Sequence, residues 1–175
     1  TLMYTLAGLE QPLQGQVLID GTDIYALSLK ERAQFRNRHM GFIFQNYMLM
    51  PELTALENAS LATAVAGSEA TDRVVALLEK VGLGNRLDHL PNELSGGEQQ
   101  RVAIARALAH DPAIIFADEP TGNLDSRNGS QILDLLFELA DQGGKTLVVV
   151  THDPAIAARG DRVLTIRDGV VSTEA

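Results

Sequence analysis

Two apolar runs in this 175-residue chain end in groups that can do chemistry. Residues 113–117 read AIIFA and are followed by Asp118 and Glu119, while residues 146–150 read TLVVV and are followed by Thr151, His152 and Asp153. Taken singly each is ordinary, since an acidic pair after an apolar run is usually a polar loop and a lone histidine is more often structural. Together they make the set a nucleotide triphosphatase needs: Asp118 for Mg²⁺, Glu119 to orient and deprotonate a water, and His152 to bond a γ-phosphate. A third stretch, LSGGEQQR at residues 94–101, sets Gly96 and Gly97 where a helix begins. Ser95 with Glu98 fits the S-x-x-E capping box, so a plain helix start is one reading. Each helical glycine costs roughly 1 kcal/mol against alanine, however, and a start selected for stability alone would avoid both. Glycines help where backbone N–H groups at a helix N-terminus must approach something bulky and negative, and a phosphate suits that place.

These residues need a scaffold, and the patterning describes one. Both apolar runs are continuous rather than alternating, as expected of strands buried on both faces of a parallel sheet, and chemistry in such sheets gathers beyond the carboxyl ends of the strands. Val74, Leu77, Leu78 and Val81 recur at helical spacing, as do Ile132, Leu135, Leu136 and Leu139, so two amphipathic helices should dock on the core. A further helix is expected from Glu98 to about Ala109. GQVLIDGTDI near the start reads as two short extended pieces about Asp20 and Gly21, and RVLTIRDGVVS in the tail repeats the device with Asp168 and Gly169; these should be edge elements. Strand-like and helix-like segments alternate from Gly15 onward, which is α/β.

Composition bounds the function. The length suits one domain, and 45% hydrophobic with 21% charged residues is ordinary for a globular chain with a core. No run of 18 or more apolar residues occurs. The absence of cysteine excludes disulfides and thiolate metal sites. A net charge of -9 with only three lysines opposes a broad nucleic-acid surface, so no nucleic-acid partner is expected.

The ordered set GFIFQ with Gln45, LSGGEQQR, IIFADE, GNLD ending at Asp125, and VTHD with His152 resembles the nucleotide-binding domain of ABC transporters along essentially the whole chain. GFIFQNYMLMPELTALEN, HLPNELSGGEQQRVAIARAL and FADEPTGNLD look like the lipoprotein-releasing, macrolide-exporting and YbbA-like branch. The resemblance implies a P-loop NTPase-like, mostly parallel sheet core with an inserted helical signature subdomain. Residues 1–45 and 111–175 would be the catalytic α/β core and 46–110 the helical part. It implies ATP and Mg²⁺ as ligands, a second nucleotide-binding domain closing head to tail in a homodimer, and transmembrane permease subunits at the cytoplasmic face of the inner membrane.

Carried over by residue, Ser95, Gly96 and Gly97, with Glu98 opening the helix behind them, would cover the γ-phosphate bound by the partner. Asp118 would hold Mg²⁺ through water, Glu119 would be the general base, and His152 would brace the γ-phosphate. Gln45 would touch metal or water and report occupancy to the membrane subunit, and Asp125 would cross the dimer interface; a solvated loop and a helix N-cap are their simpler readings. Tyr47, Met48, Leu49, Met50 and Leu53 are either core or part of a groove for a helix of the membrane subunit.

One departure stands out. No G-x-x-x-x-G-K-[ST] occurs, and GGKT at 143–146 lacks the first glycine, because residue 139 is leucine, and opens a strand instead of a helix. TLMYTLAGLE looks like the helix directly after a phosphate loop, with Thr1 as that loop's last residue, so the expectation is an N-terminally truncated domain missing roughly 40 residues. Such a fragment would be inactive alone. The competing function classes are a non-transport ABC ATPase, regulatory or nucleic-acid-associated, and a catalytically silent module.

Overall fold

The computed structural model describes residues 1–65, 67 and 70–173. Its centre is a three-stranded parallel sheet in the order β3 (Met40–Ile43), β4 (Ile114–Asp118), β5 (Thr146–Val150). The register pairs Ile43 with Ala117 and Asp118 with Val150, so β4 and β5 reach their carboxyl ends side by side. Ahead of the sheet come α1 (Leu2–Leu6), β1 (Leu18–Ile19), β2 (Thr22–Asp23) and α2 (Leu29–His39). Between β3 and β4 lie α3 (Ala55–Val65), α4 (Thr71–Lys80) and α5 (Gly96–Leu108). The chain then runs through α6 (Ser126–Gln142), β5, α7 (Pro154–Ala157), β6 (Leu164–Arg167) and β7 (Val170–Thr173).

Side chains of β4 alternate between two cores. Ile115 and Ala117 join Ile43, Val74, Leu78, Val102, Ile104, Ile132 and Leu136 beneath α3 to α6, whereas Phe116 joins Met3, Ala7, Ile24 and Met40 on the other face. A strand covered on both faces needs no polar alternation, which is why AIIFA reads as a continuous apolar run. The strand itself lies one residue later than that run, ending on Asp118. TLVVV is covered less fully. β5 pairs only with β4 among the described strands and its end residues Thr146 and Val150 are exposed, but Leu147 and Val149 pack against the first core and Val148 against the second, so both of its faces are partly covered.

The helical periodicities are realised in α4 and α6, whose Val74, Leu78, Ile132 and Leu136 are buried; each such burial contributes about 1.5–3 kcal/mol. Val81 lies just past α4 but is equally buried. α5 begins at Gly96, two residues before the expected Glu98, because Ser95 is its N-cap and the glycines form its first turn. The two D-G turns close antiparallel hairpins, β1 with β2 and β6 with β7. Asp20, Gly21, Asp168 and Gly169 all have positive φ, as two-residue type I′ turns require. β3 had no separate signal in the sequence reading. Its Gly41 lies so near α5 that a Cβ there would meet the Ala107 carbonyl oxygen at 2.3 Å, a contact that requires glycine.

Candidate active site at the ends of β4 and β5

Beyond Asp118 the chain leaves the sheet abruptly. Glu119 has φ +45°, a left-handed backbone that a non-glycine residue adopts only when its surroundings hold it there. They do so from two directions: Glu119 N donates to the Val150 carbonyl at 2.9 Å, and Gly122 N donates back to the Glu119 carbonyl at 3.0 Å. The resulting turn aims the carboxylate at the end of β5. There Oε1 accepts from the His152 backbone N–H at 2.9 Å and lies 2.7 Å from His152 Nδ1, while Thr151 Oγ1 stands 3.4 Å from Oε2. The hydrogen bond and charge of Glu119 raise the His152 pKa above the ordinary imidazole value. Glu119 is largely buried and His152 almost fully exposed, so the pair presents an imidazole to an incoming anion and a half-shielded carboxylate behind it. Such a carboxylate is suited to taking a proton from a water.

Asp118 accepts a hydrogen bond from the Tyr4 hydroxyl on Oδ2 at 3.0 Å, across 114 positions of sequence. That bond holds the Tyr4 hydroxyl above its usual pKa. Sequence reasoning missed Tyr4, for nothing in TLMYTLAGLE marks that tyrosine as facing a strand end. Among the described residues no group of three or more His, Cys, Asp or Glu could cage a metal. Mg²⁺ does not ask for one, since it is usually held by one or two carboxylates, water and substrate phosphates, and the hard oxygens of half-buried Asp118 suit that chemistry.

The signature turn is built differently. Ser95 caps α5: its backbone N–H and Oγ both donate to Glu98 Oε2, at 2.8 and 2.7 Å, and Glu98 N returns a longer bond to Oγ at 3.4 Å. These bonds hold the Glu98 carboxyl below its usual range, and Arg86 stands 3.4 Å from its other oxygen. The two glycines have unlike surroundings. A Cβ on Gly96 would sit 2.9 Å from the Tyr47 hydroxyl and 3.4 Å from Leu124, whereas one on Gly97 would meet only Asn128 at 3.8 Å, an ordinary contact. A side chain at Gly96 would therefore displace the Tyr47 hydroxyl, whereas one at Gly97 would displace nothing. No hydrogen bond or ion pair among the described residues joins Ser95 or Glu98 to Asp118, Glu119 or His152.

Gln45 is exposed just beyond β3, and its backbone carbonyl accepts from Asn123 Nδ2 at 2.9 Å. Its side chain packs on Gly122, where a Cβ would come within 2.7 Å of Nε2. Asp125 is the N-cap of α6, accepting from Arg127 N and Asn128 N, both at 3.1 Å, and those bonds keep its carboxyl below the usual range. Thr1 is exposed at the start of α1, where its side chain makes no capping bond. The stretch after Gln45 divides. Leu49 packs against the main core, whereas Met48 and Met50 are 59% and 50% exposed. Met48 edges a cleft of about 370 Å³ shared with Phe42, Phe44, Leu61, Arg106 and His110. Tyr47 and Met48 both have positive φ, and Arg106 pins them by donating to their two carbonyls. No helix among the described residues is long and apolar enough to cross a membrane.

Known proteins resemble this chain in sequence and fold. The family model described as ABC transporter matches residues 1–122. The lipoprotein-releasing system ATP-binding protein LolD of Shewanella frigidimarina is 49% identical over 178 residues, taking in 100% of this chain and 74% of that protein. The uncharacterized ABC transporter ATP-binding protein YbbA of Escherichia coli K12 is also 49% identical over 178 residues, covering 100% of this chain and 78% of its own length. Among solved structures, the dimeric post-hydrolysis state of the ATP-binding cassette MJ0796 bound to ADP and Pi matches with a TM-score of 0.88 at 41% identity, over 99% of this chain and 78% of that one. The shared fold beneath the strand-end cluster, and relatives at near half identity along its whole length, mean that this chain belongs to the ABC transporter family, among the LolD-like and YbbA-like ATP-binding proteins.

Proposed function

We propose that this ABC ATP-binding chain works as one of two protomers that close head to tail around ATP and drive a permease of the export or lipoprotein-release type. The observation that carries the reading is Glu119, turned out of β4 at φ +45° and bonded to His152 beyond β5. In this reading Glu119 takes the proton of the water that attacks the γ-phosphorus, and His152 holds that carboxylate in place and faces the γ-phosphate. Magnesium, when bound, would neutralise charge on the phosphates; Asp118, steadied by Tyr4, would hold it, with Gln45 touching the metal or its water. Ser95, Gly96 and Gly97, with Glu98 behind them, cover the nucleotide of the second protomer, and Asp125 meets that protomer across the interface. The Ser95 hydroxyl has a single hydrogen, now given to Glu98, and must turn from it to donate to phosphate.

Residues 1–45 and 111–175 serve as the catalytic core in this scheme, and 46–110 as the helical part that reads the permease. Exposed Met48, at the edge of the cleft under α3, and exposed Met50 suit a cytoplasmic helix of the permease, because flexible thioethers adapt to a partner surface. In this reading the chain sits peripherally at the cytoplasmic face of the inner membrane. Backbone amides and the lysine of a G-x-x-x-x-G-K-[ST] loop supply most phosphate affinity in P-loop proteins, and these 175 residues contain no such loop. Asp118 and Glu119 also repel a polyanion. The 175-residue chain alone should therefore bind Mg-ATP no better than about millimolar and hydrolyse none above background. Calorimetric titration checks this, and micromolar binding would contradict it.

The experiment for the base is Glu119→Gln in the intact protein assembled with its permease. Hydrolysis should fall by roughly 10² to 10⁴ while ATP still binds and holds the dimer closed. Steady-state turnover within about twofold of the parent removes Glu119 from this role.

A further inference from the structure

Gln100 lies on α5, in the turn after its Ser95 cap, and is fully buried. Burying an amide costs free energy unless its polar atoms are bonded. Gln100 Nε2 donates to the Pro120 carbonyl at 2.6 Å, twenty positions away in sequence, and Oε1 has no hydrogen-bond partner among the described residues. Methionine fills a similar volume without an unsatisfied oxygen, so the amide calls for a reason beyond packing.

The carbonyl it holds supplies one. Glu119 to Gly122 form a four-residue turn closed by Gly122 N on the Glu119 carbonyl. The peptide between the two central residues is the unit that flips between type I and type II turns, and Pro120 contributes the carbonyl of that peptide. The flipped form needs positive φ at Thr121, which is not among the positive-φ residues of the chain. Gln100 thus anchors the peptide that directly follows Glu119 and leads on toward Asp125. The left-handed backbone at Glu119 persists only if its surroundings over-determine it, and this bond is one of the restraints. At the other end Gln100 is carried by a helix whose Val102, Ala103 and Ile104 are all buried, so that helix moves as a unit with its cap at Ser95.

We propose that Gln100 is a positioning residue whose amide, donating to the Pro120 carbonyl, couples the signature helix to the orientation of Glu119. It touches no reacting group. The proposal rests on the reading of Glu119 as the base.

The test is ATP turnover of the intact protein assembled with its permease, with kcat and KM separated. Gln100→Met keeps the volume and removes the donor. Its kcat should fall about tenfold or more with KM for ATP within about twofold, because a misplacement on the order of 1 Å can cost about 10²-fold. Gln100→Glu is the second variant. Its buried carboxyl donates the same bond when protonated and cannot when ionised, so kcat should decline with rising pH relative to the parent, a dependence that mere space-filling does not produce. Wild-type kcat in Gln100→Met, a parental pH profile in Gln100→Glu, or loss of folding in both variants overturns the proposal. Gln100→Met at full activity while Glu119→Gln is inactive sinks this proposal alone, whereas Glu119→Gln at full activity sinks the reading beneath it.

Discussion

The strand end around Glu119 and the turn at Ser95 to Gly97 carry similar groups, a carboxylate with a donor beside it, and differ in what satisfies them. At the strand end the bonds are long-range: Glu119 reaches His152 across 33 positions, and Asp118 takes the hydroxyl of Tyr4 from α1. At the signature turn the cap itself is local, Ser95 with Glu98 three residues on, and the outer glycine makes only an ordinary contact with Asn128. The first region is pre-organised by the rest of the chain. The second is by itself a well-capped helix start. The composite site proposed above would use such a division, with one half holding the reacting groups and the other approaching a ligand that it does not itself hold.

Three changes would break or sharpen this contrast, in descending size. His152→Ala removes the imidazole from Glu119 and from the face of the site, and hydrolysis by the intact protein should drop roughly 10²-fold, read from steady-state turnover. Turnover near the parental value would show that Glu119 does not depend on the strand-end network. Gly97→Ala probes the other half. Gly97 lacks positive φ and a Cβ there makes ordinary contacts, so alanine should leave stability unchanged or raise it by about 0.4–1 kcal/mol in thermal unfolding. If the turn serves a partner's nucleotide, the same substitution should weaken ATP-dependent dimerisation in light scattering. Unimpaired dimerisation would leave Gly97 as a residue of the cap alone.

The smallest effect is electrostatic. Glu119 raises the His152 pKa, so the stabilising pair is fully formed below the ordinary imidazole value and is lost as pH rises through the raised one. In an NMR titration Glu119→Gln should bring the His152 transition down towards its ordinary position. An unmoved transition would mean that the Glu119 contact is not maintained in solution.

What was legible in the sequence were features set by neighbours along the chain. The S-x-x-E box at Ser95 is a contact over three residues, and it forms. The D-G pairs at 20–21 and 168–169 turn because those residues tolerate positive φ. The periodicity that predicts α4 and α6 is a property of consecutive turns. The residues around Asp118, Glu119 and His152 were readable for a related reason, since an apolar run that ends in polar groups marks a strand end wherever the strand is placed. Tertiary structure decided the rest. How far each face of β5 is covered depends on which segments pack against it, which no property of TLVVV specifies. That Tyr4 faces Asp118, that Gln100 grips the turn after Glu119, and that Gly96 is a glycine beneath Tyr47 follow from register and closure between segments far apart in sequence. Local rules govern φ, ψ and period over a few residues. The partners of a buried amide or a strand-end carboxylate are set only when the sheet and its helices have closed around them.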